Sequence, residues 1–291
     1  MPRATSPLRY PGGKTCLYPL VTEVMRMNNL ERKPYAEPFA GGCGLALALL
    51  YGGHVSEIHI NDVDLSIWSF WHSVLNRTEE MVYLIEKTPV TIEEWHRQRA
   101  IYQTQEKADV VALGFATFFM NRTNRSGIIK DAGVIGGLQQ KGNYKIDCRF
   151  NVPDLVKRIS RVAKYKKRIN LYRRDAIAFM QELEEMDNSP FLCIDPPYFN
   201  KGSSLYTSFY KPEDHAILAK KILELKSPWI VTYDNVSEIS RLYADRSQFE
   251  FDINYSIETK RLGTELFIPS EGLTLPTSLR DRQVSPQLQA A

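Results

Sequence analysis

The sequence predicts an α/β protein in which a parallel sheet is split by a mainly helical insertion and completed by an antiparallel hairpin. Three observations lead to this prediction. Short apolar runs alternate with amphipathic helical patterns near both ends of the chain, as they do in βαβ units. Between them, residues 65–119 show helical periodicity without a convincing strand. Toward the C-terminus, Phe251, Ile253, Tyr255 and Ile257 alternate with polar residues and the run ELFI follows, a pattern typical of a hairpin.

The first half of the sheet is predicted from residues 17–62. A helix is indicated by apolar residues at helical spacing, namely Leu17, Leu20, Val21, Val24 and Met25. The stretch YAEPFAGGCGLALALL, residues 35–50, combines a short extended run, a glycine cluster and a helix rich in Leu and Ala. A second strand, with Ile58 and Ile60, ends at Asp62. Strand, glycine turn, helix and a strand with a terminal acid together predict one mononucleotide-binding half of a doubly wound sheet.

The second half of the sheet resumes after the insertion. Pro153 begins a basic amphipathic helix, and the runs INLY, FLCI and PWIVTY are predicted strands separated by helical patterns. We therefore assign residues 1–63 and 169–270 to one α/β domain and residues 64–168 to the insertion. Residues 271–291 have little to bury and are predicted to form a disordered tail.

The composition excludes several classes of protein. With 291 residues, of which 43% are hydrophobic and 24% charged, the chain can bury a large core. Its four cysteines, Cys16, Cys43, Cys148 and Cys193, are far apart, so neither a disulfide framework nor a zinc site is expected. No apolar run is long enough to cross a membrane and no signal segment is recognisable, so a cytoplasmic protein without bound metal is predicted.

The charge is unevenly distributed along the chain. The whole chain has 37 Lys or Arg and 34 Asp or Glu, a net charge of +3. Residues 121–175 hold 15 basic and 4 acidic residues, so this segment is at +11 and the remainder at −8. A basic segment in an otherwise acidic protein indicates a polyanion partner, although a solvated helix face explains such a run about equally well.

The opening stretch SPLRYPGGKT, residues 6–15, ends like a phosphate-binding loop. The pattern G-x-x-x-x-G-K-[ST] requires a glycine where the chain has Leu8, and a preceding hydrophobic strand, which is missing. Pro7 and Pro11 also remove two N–H donors. A turn before the first helix is the better interpretation, and no triphosphate site is predicted.

Two acids follow predicted strands. Asp62 lies about 20 residues after the glycine turn, where an acid binds the ribose hydroxyls of a nucleotide or caps the next helix. Asp195 follows the buried strand FLCI and opens the sequence DPPY. Its carboxylate and the carbonyl of Pro196 can both accept hydrogen bonds from one amino group, and Tyr198 can stack on the flat ring that bears this group. The pattern predicts a site for an aromatic amine.

These motifs resemble those of the Dam-like, alpha-class DNA adenine-N6 methyltransferases, which use S-adenosylmethionine. PLRYPGGK is similar to the N-terminal cofactor motif of that family, EPFAGGCG to its glycine loop, NDVD to its acidic motif and DPPY to its catalytic motif. The order of the motifs, with the insertion between the last two, also matches. The resemblance covers residues 7–268 and implies a Rossmann-like methyltransferase sheet with a target-recognition insertion. It implies methylation of an adenine that is flipped out of duplex DNA, with S-adenosylhomocysteine as the product.

The resemblance also implies roles for individual residues. Those implied to bind the cofactor are Tyr10, Lys14, Phe39, Gly41, Gly42, Asp62, Asp175 and Asp195. Those implied to act on the adenine are Asp195, Pro196 and Tyr198. Those implied to contact DNA are Asn121, Arg122, Arg125, Ser126, Ile128 and Lys130, with Ile128 as a wedge beside the flipped base. Lys14 is also expected near a DNA phosphate. Ser126 and Lys130 replace an Asn and an Arg with which Dam reads GATC, so the recognition sequence is left open.

Three other functions are compatible with the sequence. Enzymes that methylate the N4 amine of cytosine more often have Ser at the position of Asp195, and protein glutamine methyltransferases have Asn there. A DNA-binding protein with a silent methyltransferase fold is expected to lack DPPY or the cofactor acids, which are intact here. We expect a monomer or weak dimer that acts on double-stranded DNA in a bacterial or phage-infected cell, with a cognate restriction endonuclease as a further partner in a restriction–modification setting.

Overall fold

The computed structural model describes residues 5–10, 12–200, 210–255 and 261–284. The strands are β1 (Tyr35–Glu37), β2 (Ile58–Asn61), β3 (Ile169–Tyr172), β4 (Phe191–Ile194), β5 (Trp229–Asp234), β6 (Gln248–Tyr255), β7 (Arg261–Pro269) and β8 (Gln283–Val284). The α-helices are α1 (Tyr18–Met27), α2 (Gly44–Gly52), α3 (Leu65–Asn76), α4 (Thr78–Lys87), α5 (Ile92–Thr104), α6 (Val110–Thr123), α7 (Val152–Lys164), α8 (Ala176–Glu184), α9 (Pro212–Leu223), α10 (Ser237–Leu242) and α11 (Thr277–Arg280).

The strands form one eight-stranded sheet in the order β3-β2-β1-β4-β5-β7-β6-β8. Strands β1 to β5 are parallel, and β7 and β6 follow as an antiparallel hairpin. The predicted α/β class, the parallel strands and the hairpin are therefore confirmed. The strand order reverses between β1 and β4, and ligands of such sheets bind at the carboxyl ends of the strands at that point.

The sheet is covered on both faces, so that its central strands are buried. All residues of β1, β2 and β4 are buried, which is typical of parallel strands packed between two layers of helices. One face packs on α1, α2 and helices of the insertion, and the other on α8, α9 and α10. Because the first of these cores contains Ile58 and Ile60 of β2 together with Phe70 of α3 and Phe118 of α6, the insertion shares its core with the sheet. The division into two domains stays a prediction.

The C-terminal segment corrects one expectation. Residues 271–284 are not a disordered tail, because α11 buries Leu279, the preceding Leu275 is also buried, and β8 pairs with β6. Two leucines and a short backbone pairing fix the segment in place, although the sequence there has no strong periodicity. Residues 285–291 lie outside the described residues.

Several bulk properties can also be stated for the described part of the chain. None of its helices combines the length and the apolar character that crossing a bilayer requires. Its four cysteines are free thiols. Among the described residues, no group of three or more His, Cys, Asp or Glu side chains is arranged to hold a metal ion.

Candidate active site

The turn between β1 and α2 packs against the N-terminal segment at the carboxyl ends of the strands. Gly41 has a φ of +44°, and its carbonyl accepts a hydrogen bond from the buried indole of Trp71 at 2.9 Å. The side chain of Tyr10 lies against this turn so closely that a Cβ on Gly41 or Gly42 would come within 2.6 Å of it. Glycine is therefore needed at both positions for Tyr10 to pack on the turn.

Asp62, after β2, is not the cap of the helix that follows it. Its carboxylate accepts hydrogen bonds from the backbone N–H groups of Gly41 at 2.9 Å and Asp64 at 3.0 Å. The cap of α3 is Asp64, which accepts from the N–H groups of Ser66 and Ile67. Burial, and after it the charge of Asp64, raises the pKa of Asp62 to about 7.

An open pocket of about 830 Å³ lies at the carboxyl ends of β1, β2 and β4. The predicted cofactor residues that line it are Tyr10, Lys14, Phe39, Gly41, Gly42, Asp62 and Asp195. The structure thus brings together in one cavity residues from four separate segments of the chain.

Asp175 is the predicted cofactor residue that does not line this pocket. Its carboxylate caps α8 by accepting hydrogen bonds from the N–H groups of Ile177 at 2.9 Å and Ala178 at 3.2 Å. It lies near enough to Tyr210, which does line the pocket, to add to the rise in the pKa of Tyr210 that burial causes. Its role in cofactor binding stays a prediction.

Asp195, after β4, is paired with an amine from the N-terminal segment. The ammonium Nζ of Lys14 lies 2.7 Å from Oδ1 and 2.8 Å from Oδ2 of Asp195. Thr232 of β5 donates a hydrogen bond to Oδ1 at 2.8 Å. Burial raises the pKa of Asp195 to about 6, against the opposing effect of the Lys14 charge. Lys14 is itself buried, so the expectation that it lies near a DNA phosphate is wrong for this structure.

Glu265 of β7 is a site residue that the sequence interpretation missed. It is fully buried, its Oε2 lies 3.3 Å from Nζ of Lys14, and its Oε1 accepts a hydrogen bond from the hydroxyl of Tyr198. The ammonium of Lys14 also lies 5.3 Å from the centre of the Tyr198 ring. An acid inside the apolar run ELFI was the available signal, because a buried charge needs a partner.

A second acid on the neighbouring strand fixes the segment that follows DPPY. Asp234, at the end of β5, accepts hydrogen bonds from the N–H groups of Phe199 at 2.9 Å and Asn200 at 3.2 Å. Asp234 is opposite Glu265 in the register of β5 and β7. The two strands therefore hold DPPY and the two residues after it through Thr232, Asp234 and Glu265.

Glu37, at the end of β1, contributes a buried carboxyl group to the same pocket. Its Oε1 accepts hydrogen bonds from the N–H of Ala46 at 3.0 Å and the hydroxyl of Tyr35 at 3.1 Å. Burial outweighs both of these and raises its pKa to about 8. Glu37 is therefore mostly neutral near pH 7.

Asn121 and Arg122 belong to the scaffold, which corrects the expectation that they contact DNA. Asn121 is fully buried, and its amide binds both the N–H and the carbonyl of Arg9, at 2.8 and 2.7 Å. Arg122 is also buried and donates to the carbonyls of Arg149 at 2.8 Å and Pro7 at 3.4 Å. Burial and then the charge of Arg9 lower the pKa of Arg122 to about 9. Both residues tie the N-terminal segment to the insertion.

The remaining predicted DNA contacts lie on a loop that is held at its base. Residues 124–134 are closed by a single β-bridge between Asn124 and Val134. The side chain of Asn124 accepts from the indole of Trp95 at 2.7 Å and donates to the carbonyl of Ile128 at 2.9 Å. On this loop Arg125 and Lys130 are exposed, and Ser126 and Ile128 are partly exposed. Their contacts with DNA stay predictions.

The fold and the site together define a Rossmann-like methyltransferase that acts on an amino group. The site lies at the reversal of strand order, with a glycine turn, an acid after β2 and DPPY after β4. The D12 class N6 adenine-specific DNA methyltransferase family matches residues 10–260, and the chain belongs to this family. It is an adenine-specific DNA methyltransferase, so the prediction from the motifs is confirmed in preference to cytosine methylation or a silent fold.

Individual proteins show more distant similarity. M.MjaIII, a Type II methyltransferase of Methanocaldococcus jannaschii, is 24% identical over 233 residues, which cover 73% of this chain and 77% of the relative. A solved structure from Pyrococcus horikoshii, provisionally described as an RNA methyltransferase, aligns with a TM-score of 0.41 and 11% identity. That alignment covers 92% of this chain and 88% of the other, and is too remote to add to the assignment.

Proposed function

We propose that this enzyme transfers the methyl group of S-adenosylmethionine to the N6 amine of an adenine that is rotated out of duplex DNA. One observation carries the proposal. Asp195 already binds an amine, the ammonium of Lys14 at 2.7 Å, at the edge of the pocket and beside the ring of Tyr198. A carboxylate that accepts from an amine next to an aromatic ring is what the N6 group of adenine requires.

The lining of the pocket fits S-adenosylmethionine. Asp62 supplies a carboxylate for ribose hydroxyls, and Asp195 supplies one for a cationic amino group. Phe39 and Tyr210, whose rings meet edge to face with centres 5.9 Å apart, offer apolar surface to a flat base. When bound, S-adenosylmethionine supplies an electrophilic methyl group on a positively charged sulfur.

The residues of the chain position the adenine amine and stabilise the charge that develops on it. The lone pair of this amine is delocalised into the ring, so the nitrogen is a weak nucleophile. Hydrogen bonds to the carboxylate of Asp195 and the carbonyl of Pro196 favour a tetrahedral nitrogen whose lone pair is available. With a pKa of about 6, Asp195 is ionised at neutral pH and able to act as an acceptor.

Access to the amine requires base flipping, because the base is stacked within the duplex. Tyr198 is buried and bound to Glu265 in the present structure, so its ring is already held beside Asp195 for stacking on the flipped adenine. Arg125, Ser126, Ile128 and Lys130 are proposed to contact the DNA around it. The Type II relative supports a role in which this enzyme protects DNA from a cognate restriction endonuclease.

The direct test is methylation of plasmid DNA by the purified protein with S-adenosylmethionine, read by sequencing that detects modified bases. We expect N6-methyladenine within one short sequence. Asp195→Ala should abolish it, whereas Asp187→Ala, an exposed acid before β4, should not. Modified cytosine, or activity that survives Asp195→Ala, would refute the proposal.

A further inference from the structure

We propose that Lys14 occupies the position of the adenine amine until DNA binds, and that Glu265 is the positioning residue that retains its ammonium when the adenine displaces it from Asp195. This inference rests on the proposed function and adds an exchange of partners to it. Neither the catalytic motif nor the glycine turn implies such an exchange.

Two contacts of Lys14, with the Asp195 carboxylate and beside the Tyr198 ring, are those predicted for the adenine. Its Nζ donates a hydrogen bond to Oδ2 of Asp195 at 2.8 Å, pairs with Oδ1 at 2.7 Å, and lies 5.3 Å from the centre of the Tyr198 ring. An adenine whose amine binds Asp195 and whose ring stacks on Tyr198 needs the same acceptor beside the same ring. The two amines therefore compete, and Nζ must move before methylation.

The surroundings of Lys14 provide a place for the displaced ammonium. A buried ammonium is costly unless it keeps a charged or hydrogen-bonding partner. Oε2 of Glu265 is 3.3 Å from Nζ, and the carbonyl of Gly12 accepts from Nζ at 2.8 Å. A small shift away from Asp195 therefore leaves Nζ between Glu265 and Gly12.

The other oxygen of Glu265 sets the orientation of its carboxylate. Oε1 accepts the hydrogen bond from Tyr198, which fixes the plane of the carboxylate and directs Oε2 toward Lys14. Glu265 is fully buried on β7 and thus held by the sheet. One acid in this way positions both the stacking ring and the competing amine.

The charges around Asp195 set its pKa, so the exchange should be visible in the pH dependence of the methylation rate. The described titratable groups near Asp195 include Lys14 and Cys16 before α1, Glu37 on β1, Cys193 on β4, Tyr198 after β4, Tyr233 on β5 and Glu265 on β7. Of the two charges that matter most, Lys14 lowers the pKa of Asp195 and Glu265 raises it. The methylation rate should fall at low pH as Asp195 becomes protonated. Removal of Glu265 should shift this fall to lower pH, and removal of Lys14 should shift it to higher pH.

The experiment measures how much the amine of the target base contributes to binding. Duplexes with either adenine or purine at the target position differ only in this amine, and their dissociation constants are compared in the presence of S-adenosylhomocysteine. The variants are Glu265→Gln, Lys14→Met and the double variant, with Glu250→Gln on the neighbouring strand as the matched control. Single-turnover methylation of the adenine duplex is followed over a range of pH.

The exchange predicts opposite effects of the two substitutions. In Glu265→Gln the ammonium loses its ion pair with Glu265 and is held more strongly by Asp195, so the preference for adenine over purine should fall by about tenfold. The double variant should recover that preference because the ammonium of Lys14 no longer competes with the adenine amine. Lys14→Met alone should show a stronger preference for adenine over purine than the wild type. Glu250→Gln should behave like the wild type.

Other outcomes would overturn the inference. If Glu265→Gln weakens binding of both duplexes equally and Lys14→Met brings no recovery, Glu265 has a structural role only. Folding of Glu265→Gln is judged by circular dichroism and binding of S-adenosylhomocysteine. If that variant does not fold, Lys14→Met is the test: a preference for adenine over purine no greater than that of the wild type, or an unshifted fall of the methylation rate at low pH, would overturn the inference. Failure of the wild-type protein to methylate adenine would instead refute the proposed function.

Discussion

At the scale of single residues, the site is marked by carboxyl groups that burial keeps partly protonated. The pKa of Glu37 is raised to about 8, that of Asp62 to about 7 and that of Asp195 to about 6. The folded protein therefore binds more protons than the unfolded chain between about pH 4 and pH 8. The stability that these groups contribute is complete below about pH 4 and is lost as the pH rises through the folded-state values.

Glu37→Gln is expected to remove part of this pH dependence. The amide keeps an oxygen for the N–H of Ala46 but never ionises, so it avoids the cost of a buried charge at high pH. We expect the variant to unfold with the same free energy as the wild type near pH 4, and to be more stable near pH 8.5 by on the order of 2 kcal/mol. Urea unfolding at several pH values measures this.

Glu79→Gln on the exposed side of α4 serves as the control for Glu37 and should leave the pH profile unchanged. A Glu37→Gln profile parallel to that of the wild type would show that Glu37 is ionised in the folded protein at neutral pH.

At the scale of elements, residues 121–130 of the insertion combine buried side chains that support the fold with exposed side chains that are proposed to contact DNA. Helix α6 ends with Asn121 and Arg122 pointing into the protein, where they bind the backbone of the N-terminal segment. The loop that follows leaves Arg125 and Lys130 in solvent. Adjacent polar residues thus serve the scaffold or the DNA according to the side of the backbone on which they lie.

Substitutions on the two sides should separate stability from DNA binding. Arg125→Ala is expected to weaken DNA binding by about 1–3 kcal/mol without a change in melting temperature, because it removes a contact to phosphate or a base edge. Asn121→Ala should lower the melting temperature, because it leaves backbone groups of Arg9 and Gly127 without their buried partner. Thermal unfolding and equilibrium binding to duplex DNA measure the two effects.

Lys226→Ala is the charge-matched control for Arg125, because Lys226 precedes β5 at the opposite edge of the sheet. Equal loss of affinity in Arg125→Ala and Lys226→Ala would show that the loop has no special part in binding.

The C-terminal element is expected to be part of the folded unit. Leu279 of α11 is 3% exposed and packs in the main core. Leu279→Ala should therefore lower the free energy of unfolding by about 2–3 kcal/mol. Chemical denaturation measures this. Ile217→Ala, at a position that is 55% exposed on α9, should change the stability little. Equal stability of the two variants would restore the interpretation of a disordered tail.

At the scale of the whole molecule, one strongly basic segment is joined to a remainder that is acidic. Residues 121–175 have a net charge of +11 in a chain whose total is +3. This segment contains the loop of residues 124–134 and helix α7, both in the insertion. A charge distribution of this kind attracts a polyanion to one part of the molecule and disfavours its approach elsewhere.

Binding to duplex DNA should therefore depend steeply on salt. We expect the affinity to fall by about tenfold or more between 50 and 200 mM KCl, because each phosphate contact releases a bound counterion. Fluorescence anisotropy with a labelled duplex measures the slope of log affinity against log salt. The slope should become shallower by about one unit in Lys130→Gln if that lysine contacts a phosphate. An affinity that is independent of salt would contradict an electrostatic role for the segment.

Local sequence was sufficient to predict most of the fold. Strands such as FLCI and PWIVTY are short apolar runs bounded by polar or proline residues, and the glycine turn at Gly41 and Gly42 marks a change from strand to helix. Asp62 and Asp195 were found because each follows a strand directly, and parallel strands end at one edge of a sheet. Their approach to the same pocket could therefore be predicted before any contact was known.

Tertiary structure alone decided the partners of these residues. Lys14 and Asp195 are 181 positions apart, and their hydrogen bond depends on how the N-terminal segment folds over the glycine turn. Glu265 reaches the same ammonium because antiparallel pairing places β7 beside β5. Burial of Asn121 and Arg122, and pairing of β8 with β6, likewise depend on distant segments. The sequence by itself determined the strands, the turns and the acids at the sheet edge, because these follow from neighbouring residues. The structure determined which charges meet, because such contacts form only after distant parts of the chain have packed together.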